Sequence, residues 1–221
     1  MPGKTGSAIF FDLDGTLTDP KIGITRSIQY ALEKLDKPVP VTDDLTWCIG
    51  PPLLDSFAEL TGDANLAPRA LELYRTRFSD IGLFENEVYS GIPELLQALV
   101  AARQPLFVAT SKPRVFAERI LQHFDLADNF STIFGAELDG TRSDKTELLA
   151  FALEKAGQAG TATTMIGDRK HDAVGAVNNG MTSLGVLYGY GDEAELSSAG
   201  TSQNFKTVED LTKYLLADLP R

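Results

Sequence analysis

Strands that alternate with helices over most of the chain predict a doubly wound, Rossmann-like parallel α/β sheet carrying an inserted all-helical module. Three observations predict it. From Gly91 onward, short apolar runs alternate with helical patterns over short links, the rhythm of a parallel sheet. Near the start, Ala8 to Phe11 is a brief apolar run of the kind buried between two layers. Between Gly15 and Ile81 there is no convincing strand, and a helical block of about 65 residues far exceeds what a crossover between parallel strands needs. The expected division is a core of residues 1–17 and 85–221 and a helical module of residues 18–84.

The elements follow in order. After the opening strand, Asp19 and Pro20 look like a helix start. Ile24, Ile28, Ala31, Leu32 and Leu35 form one apolar stripe, ended by Pro38 and Pro40. Thr42-Asp43-Asp44 caps a short helix toward Trp47, and Gly50-Pro51-Pro52 breaks it. Leu53 to Leu60 and Leu66 to Phe78 read as helices. Then come a helix over Pro93–Ala102, a strand over Leu106–Ala109, a helix over Pro113–Phe124 and a short strand over Thr132–Phe134. Thr146–Ala156 reads as a helix, Ala162–Ile166 as a strand, Asp172–Asn178 as a helix and Thr182–Leu187 as a strand. Two short helices close the pattern, at Glu193–Ala199 and Val208–Leu216.

Composition narrows the possible partners. The 221 residues carry a net charge of −11 and are 43% hydrophobic. So acidic a chain argues against nucleic acid and anionic membranes, which are bound through basic patches. An anionic substrate would have to be met by local positive groups or a metal. The single Cys48 fits a reducing compartment, and the N-terminus lacks the apolar stretch of a signal peptide. A cytoplasmic protein is expected, monomeric or a small homo-oligomer.

Four stretches carry candidate chemistry. The opening strand stops in Asp12-Leu13-Asp14-Gly15-Thr16, two acids at the carboxyl end of a strand, where open α/β sheets place ligands. Two acids there repel, and a divalent cation with its preference for oxygen ligands would relieve them. A calcium loop of the EF-hand type fails here, because a strand precedes and Gly15 follows Asp14 directly. Next, Thr110-Ser111-Lys112-Pro113 runs from a strand into a helix, where hydroxyls and free amides can meet an anion or merely cap. Lys145 stands in the first turn of a helix, a position the helix dipole disfavours for a cation. Finally, Gly167-Asp168 and Asp172 repeat the opening logic, with two acids at i and i+4 on one side of a helical turn.

In this order, these pieces resemble the haloacid dehalogenase-like hydrolases. The helical module stands where that family carries its helical C1 cap. Ile49-Gly50-Pro51-Pro52-Leu53, Ser111-Lys112-Pro113 and Gly189-Tyr190-Gly191 look most like its phosphoglycolate-phosphatase-like branch. The resemblance implies a Mg²⁺-dependent phosphatase acting on a small phosphorylated metabolite. It makes Asp12 the nucleophile, Asp14 the general acid and base, and Thr110 and Lys145 the phosphoryl holders. It puts Mg²⁺ on Asp12, the Asp14 carbonyl and Asp168, with Asp172 in support, and substrate against Gly15, Thr16, Ser111 and Lys112. Family dehalogenases carry Tyr at the Asp14 position, transport ATPases carry Asp-Lys-Thr, and phosphonatases carry a small residue there, so Asp14 points to a phosphate ester. A phosphomutase of the β-phosphoglucomutase type, a nucleotidase and a pyrophosphatase stay open. A binding protein without activity would be expected to lack one of these residues.

Elsewhere, Trp47 and Cys48 read as module core, and His123 and His171 as surface or helix-end residues. Arg26, Arg69, Arg75 and Arg77 read as a solvated set, any of which could reach a second anionic group on a substrate.

Overall fold

The computed structural model of the protein describes residues 8–217. These residues form two compact units, 8–18 with 88–217, and Asp19–Glu87.

The first unit is built on a six-stranded sheet, all of whose neighbouring pairs are parallel. Its strands are β1 (Ala8–Phe11), β4 (Leu106–Pro113), β5 (Thr132–Ala136), β6 (Thr163–Gly167), β7 (Thr182–Val186) and β8 (Gln203–Phe205), in the order β5-β4-β1-β6-β7-β8. The first strand in the chain is thus central, with later strands added on one side and then on the other. That reversal opens a crevice beyond the carboxyl ends of β1, β4 and β6, the place where such sheets bind ligands.

Helices α4 (Ile92–Ala101), α5 (Arg114–His123), α6 (Lys145–Ala156), α7 (Lys170–Asn178), α8 (Glu193–Ala199) and α9 (Val208–Leu216) complete this unit. Alternate residues of a strand face opposite sides. Ala8 and Phe10 accordingly enter a buried cluster with Leu148, Leu149 and Ala152 of α6 and Ala176 of α7. Phe10 stacks on Phe107 at 4.8 Å between ring centroids. Ile9 and Phe11 point the other way and are also buried, which is why β1 reads as a continuous apolar run.

The second unit holds α1 (Lys21–Lys34), a 3-10 stretch over Thr42–Cys48, α2 (Leu53–Thr61), α3 (Ala67–Arg77) and a π turn over Phe78–Gly82. Helix α1 packs on α3 and the π turn, and α2 packs on α3. Of the expected stripe, Ile24, Ile28, Ala31 and Leu32 are buried, whereas Leu35 falls just past the end of α1 and is half-buried; Tyr74 stacks on Phe78 at 5.0 Å. Cys48 is sealed in this core, and burial pushes its thiol up to about 12. Trp47 is not core: it is 39% exposed, because the 3-10 winding turns it outward from its buried neighbours Leu45 and Cys48. The arginines are not uniformly solvated either. Arg77 forks onto Glu85 at 2.7 and 3.0 Å and reaches Ser27 Oγ at 3.1 Å, while Arg26 joins the same Glu85 at 2.9 Å.

The expected helical block between Gly15 and Ile81 holds one short strand, which pairs with a second just beyond the block. Short strands β2 (Thr18–Asp19) and β3 (Glu87–Val88) pair in a two-stranded sheet at the points where the chain passes between units. Strand β8 also escapes the sequence pattern.

Candidate active site

The register of the sheet assembles the site. Phe11 pairs with Val108 on one side and Ile166 on the other, so the residues just past these three positions emerge at one level. Asp12 follows directly, and its N–H donates to the Ile166 carbonyl at 2.9 Å. Thr110 lies two residues beyond Val108, and Asp168 two beyond Ile166. One carboxylate oxygen from each of Asp12, Asp168 and Asp172 lies within 4.8 Å of the others, and all three residues are buried.

Lys145 is the cation among them. As the first residue of α6 it is buried, with Nζ 3.0 Å from Asp12 Oδ1, 2.7 Å from Asp172 Oδ1 and 2.9 Å from the Ala109 carbonyl. Asp144 caps the same helix by accepting from the Thr146 and Glu147 amides at 2.9 and 3.0 Å. Burial alone would lower the lysine, but the Asp12 and Asp172 carboxylates hold it above its ordinary value. Burial pushes Asp172 up to about 6 against the pull of Lys145. It raises Asp168 well above the ordinary carboxylate range, and the charges of Asp172 and Asp12 add to the rise.

Asp14 stands in the turn that leaves β1. Burial raises its carboxyl, Lys112 pulls it part of the way back, and the Asp12 charge adds to the rise. Gly15 makes this turn possible, at φ +82, and a Cβ there would lie 2.1 Å from Asp168 Oδ2. Gly167 is equally constrained, since a Cβ would meet the Asp172 carboxyl carbon at 2.2 Å.

Three buried carboxylates share one ammonium, which leaves surplus negative charge out of water. Such a charge is costly unless a further cation joins it. The donors are oxygens only, the set preferred by a hard divalent ion such as Mg²⁺. The residues therefore fit that ion.

The haloacid dehalogenase-like hydrolase family model matches residues 9–186. The chain belongs to that family. A Pseudomonas aeruginosa protein called 5'-nucleotidase is 52% identical over 189 residues, covering 85% of this chain and 86% of its own. A Clostridium acetobutylicum crystal structure described as a predicted phosphatase superposes with a TM-score of 0.91 at 43% identity, covering 96% of this chain and 99% of that one. The tyrosine-protein kinase PtkA of Mycobacterium tuberculosis is 37% identical over 97% of this chain and 74% of its own. More distant relatives are called phosphoglycolate phosphatase.

In this haloacid dehalogenase-like hydrolase, the structure gathers Asp12, Asp168, Asp172 and Lys145 into one group. It places Thr110 buried at the last regularly paired position of β4. Asp168 and Asp172 do not share a helical turn as their spacing predicts. Asp168 sits beyond β6 and before α7, whereas Asp172 is inside α7 and accepts from the Arg169 amide at 3.2 Å. Asp14 brings no side-chain oxygen to the acid cluster, its Oδ2 lying 2.6 Å from Lys112 Nζ. Thr16 is fully buried and donates to Asp168 Oδ1 at 3.4 Å, while Ser111 is partly buried. Two supports leave only a faint trace in the sequence. The Tyr190 amide donates to Asp168 Oδ2 at 2.8 Å, and the Tyr188 hydroxyl donates to the Thr16 carbonyl at 3.1 Å. The glycines flanking Tyr190 were the available signal.

Proposed function

We propose that this hydrolase is a Mg²⁺-dependent phosphatase working through an aspartyl-phosphate on Asp12, with nucleoside monophosphates its leading substrate class. The buried group of Asp12, Asp168 and Asp172 around Lys145 carries this reading. Nucleotides lead because the relative called 5'-nucleotidase is 52% identical, whereas the phosphoglycolate phosphatases stand at 24% and 25%.

The residues divide the work. The Asp12 carboxylate attacks phosphorus in line, forming an acyl phosphate as the ester P–O bond breaks. Asp14 gives a proton to the departing oxygen, which leaves as the alcohol. Asp14, now a carboxylate, takes a proton from water as that water attacks phosphorus, and the bond to Asp12 breaks to release phosphate. Thr110 and Lys145 hold phosphoryl oxygens, with Lys145 anchored by the Ala109 carbonyl. Mg²⁺, held by Asp12, Asp168 and the Asp14 carbonyl with Asp172 in support, would neutralise and clamp the two anions that must meet. The helical unit serves as the family's cap in this reading, and selects the leaving group.

The test is phosphate release from nucleoside monophosphates, 2-phosphoglycolate, hexose phosphates, β-glucose 1-phosphate and pyrophosphate, with magnesium and with EDTA. Magnesium-dependent release favouring nucleoside monophosphates, lost in a folded Asp12→Asn variant, is the expected result. Turnover retained in that variant would sink the nucleophile assignment. Silence across the panel with ATP-dependent labelling of protein tyrosine would move the reading toward the activity named for the mycobacterial relative.

A further inference from the structure

Strand β4 is irregular at its carboxyl end. Its pairing with β5 is regular up to Thr110↔Gly135 and resumes at Pro113↔Ala136, so Ser111 and Lys112 bulge between. Bulges bend a strand and re-aim its side chains, and they are over-represented beside active sites. The Lys112 amide donates to Thr110 Oγ1 at 3.3 Å, tying the turned backbone to the strand it has just left. Lys112 is thereby buried, with Nζ 2.6 Å from Asp14 Oδ2 and the two side chains only 6% and 12% exposed. The other oxygen, Asp14 Oδ1, is buried and has no hydrogen-bond partner among the described residues.

We propose that Lys112 is a positioning residue that grips Asp14 by Oδ2, so that Oδ1 is the atom that exchanges the proton in both half-reactions. This rests on the phosphatase reading, in which Asp14 is the acid and base. In the first half-reaction the proton on Oδ1 passes to the departing ester oxygen as its bond to phosphorus breaks, leaving Asp14 a carboxylate held by the ammonium. In the second, Oδ1 takes a proton from the water whose oxygen bonds to phosphorus as the phosphorus–Asp12 bond breaks. Lys112 neither gains nor loses a proton. A carboxylate free to rotate would offer either oxygen and spend part of its time misdirected. Held at one end, it presents a fixed donor. A lysine that instead contacted the transferring phosphoryl group would matter equally for every ester.

The leaving group separates these roles. A p-nitrophenolate departs without a proton, whereas a nucleoside alkoxide needs one. Rapid-quench measurement of phosphoenzyme formation from p-nitrophenyl phosphate and from AMP therefore reads acid catalysis alone. Lys112→Gln is expected to widen the aryl-to-alkyl rate ratio by about tenfold, a part of the roughly hundredfold or more that a positioned acid contributes. Asp14→Asn is expected to widen it further, and Lys112→Gln is expected to add nothing in that background. Lys112→Arg, which keeps the charge and a donor, is expected to fold and to give a ratio between those of the wild type and Lys112→Gln. If Lys112→Gln slows both esters equally while Asp14→Asn discriminates, Lys112 binds phosphate and the proposal is overturned. If Asp14→Asn fails to discriminate, the acid assignment itself falls, and the proposal with it. Should Lys112→Gln not fold, Lys112→Met gives the same reading, and a ratio there equal to that of the wild type decides against the grip.

Discussion

Asp172, pushed up to about 6, and Asp168, raised well above the ordinary carboxylate range, share a consequence for pH. A group whose folded pKa lies above its unfolded value contributes fully below the unfolded value, about 3.9 for Asp. That contribution is lost as pH rises through the folded value. The metal-free site should therefore weigh increasingly on stability between about pH 4 and pH 7, whereas a divalent cation binds the ionised carboxylates and offsets the loss. The rise in Tm produced by Mg²⁺ over EDTA should be larger at about pH 7.5 than at about pH 5. A rise that is flat or shrinks with pH would show that these acids are not what the cation binds. At this scale the sequence is informative where chemistry is carried by residue type. Acids after a strand, and a lysine where the helix dipole opposes one, can be seen in one dimension. The Lys112–Asp14 pair cannot, because it depends on a bulge, and the Tyr190 amide cannot, because a backbone N–H has no letter.

Elements were readable in proportion to their length. The stripe of α1 spans several turns and its buried face matches the pattern, as does the apolar run of β1. Strands β2 and β3 have two residues each and β8 has three, too few for any periodicity to register. Trp47 turns outward rather than into the core because it lies in a 3-10 stretch, which rotates side chains faster than an α-helix does. The end of the helical unit is held by Glu85, which Arg77 and then Arg26 keep below the usual carboxylate range by hydrogen bonding. A depressed folded pKa gives stability that is present above the unfolded value and lost as pH falls through the folded one. Glu85→Gln should cost this unit about 2 kcal/mol at neutral pH, the scale of hydrogen bonds to charged groups. It should also flatten the acid limb of its unfolding curve. The chain's one tryptophan, Trp47, lies in the same unit, so its fluorescence reports that transition. An unchanged acid limb would show that Glu85 is not the group responsible.

For the whole molecule, the balance of charge is resolved locally. A chain of net charge −11 places two lysines, 112 and 145, against its buried acids, so an anion can be met without a basic surface. No helix among the described residues is long and apolar enough to cross a membrane. The central place of β1 has another consequence, which concerns time. This strand is made well before its partners, which begin only at Leu106 and Thr163. The entire helical unit is made before either of them. Contacts so distant in sequence are slow to form, and folding through them exposes apolar strands meanwhile. On refolding from denaturant, pulsed hydrogen exchange should find the amides of α1 and α3 protected before those of Ile9 to Phe11. Simultaneous protection would show instead that the units fold as one. If the order holds, Ala8-Ile9-Phe10-Phe11, the run that delivers the proposed nucleophile, is also an apolar strand left waiting while the helical unit is made, and a holding chaperone would be expected to shield it.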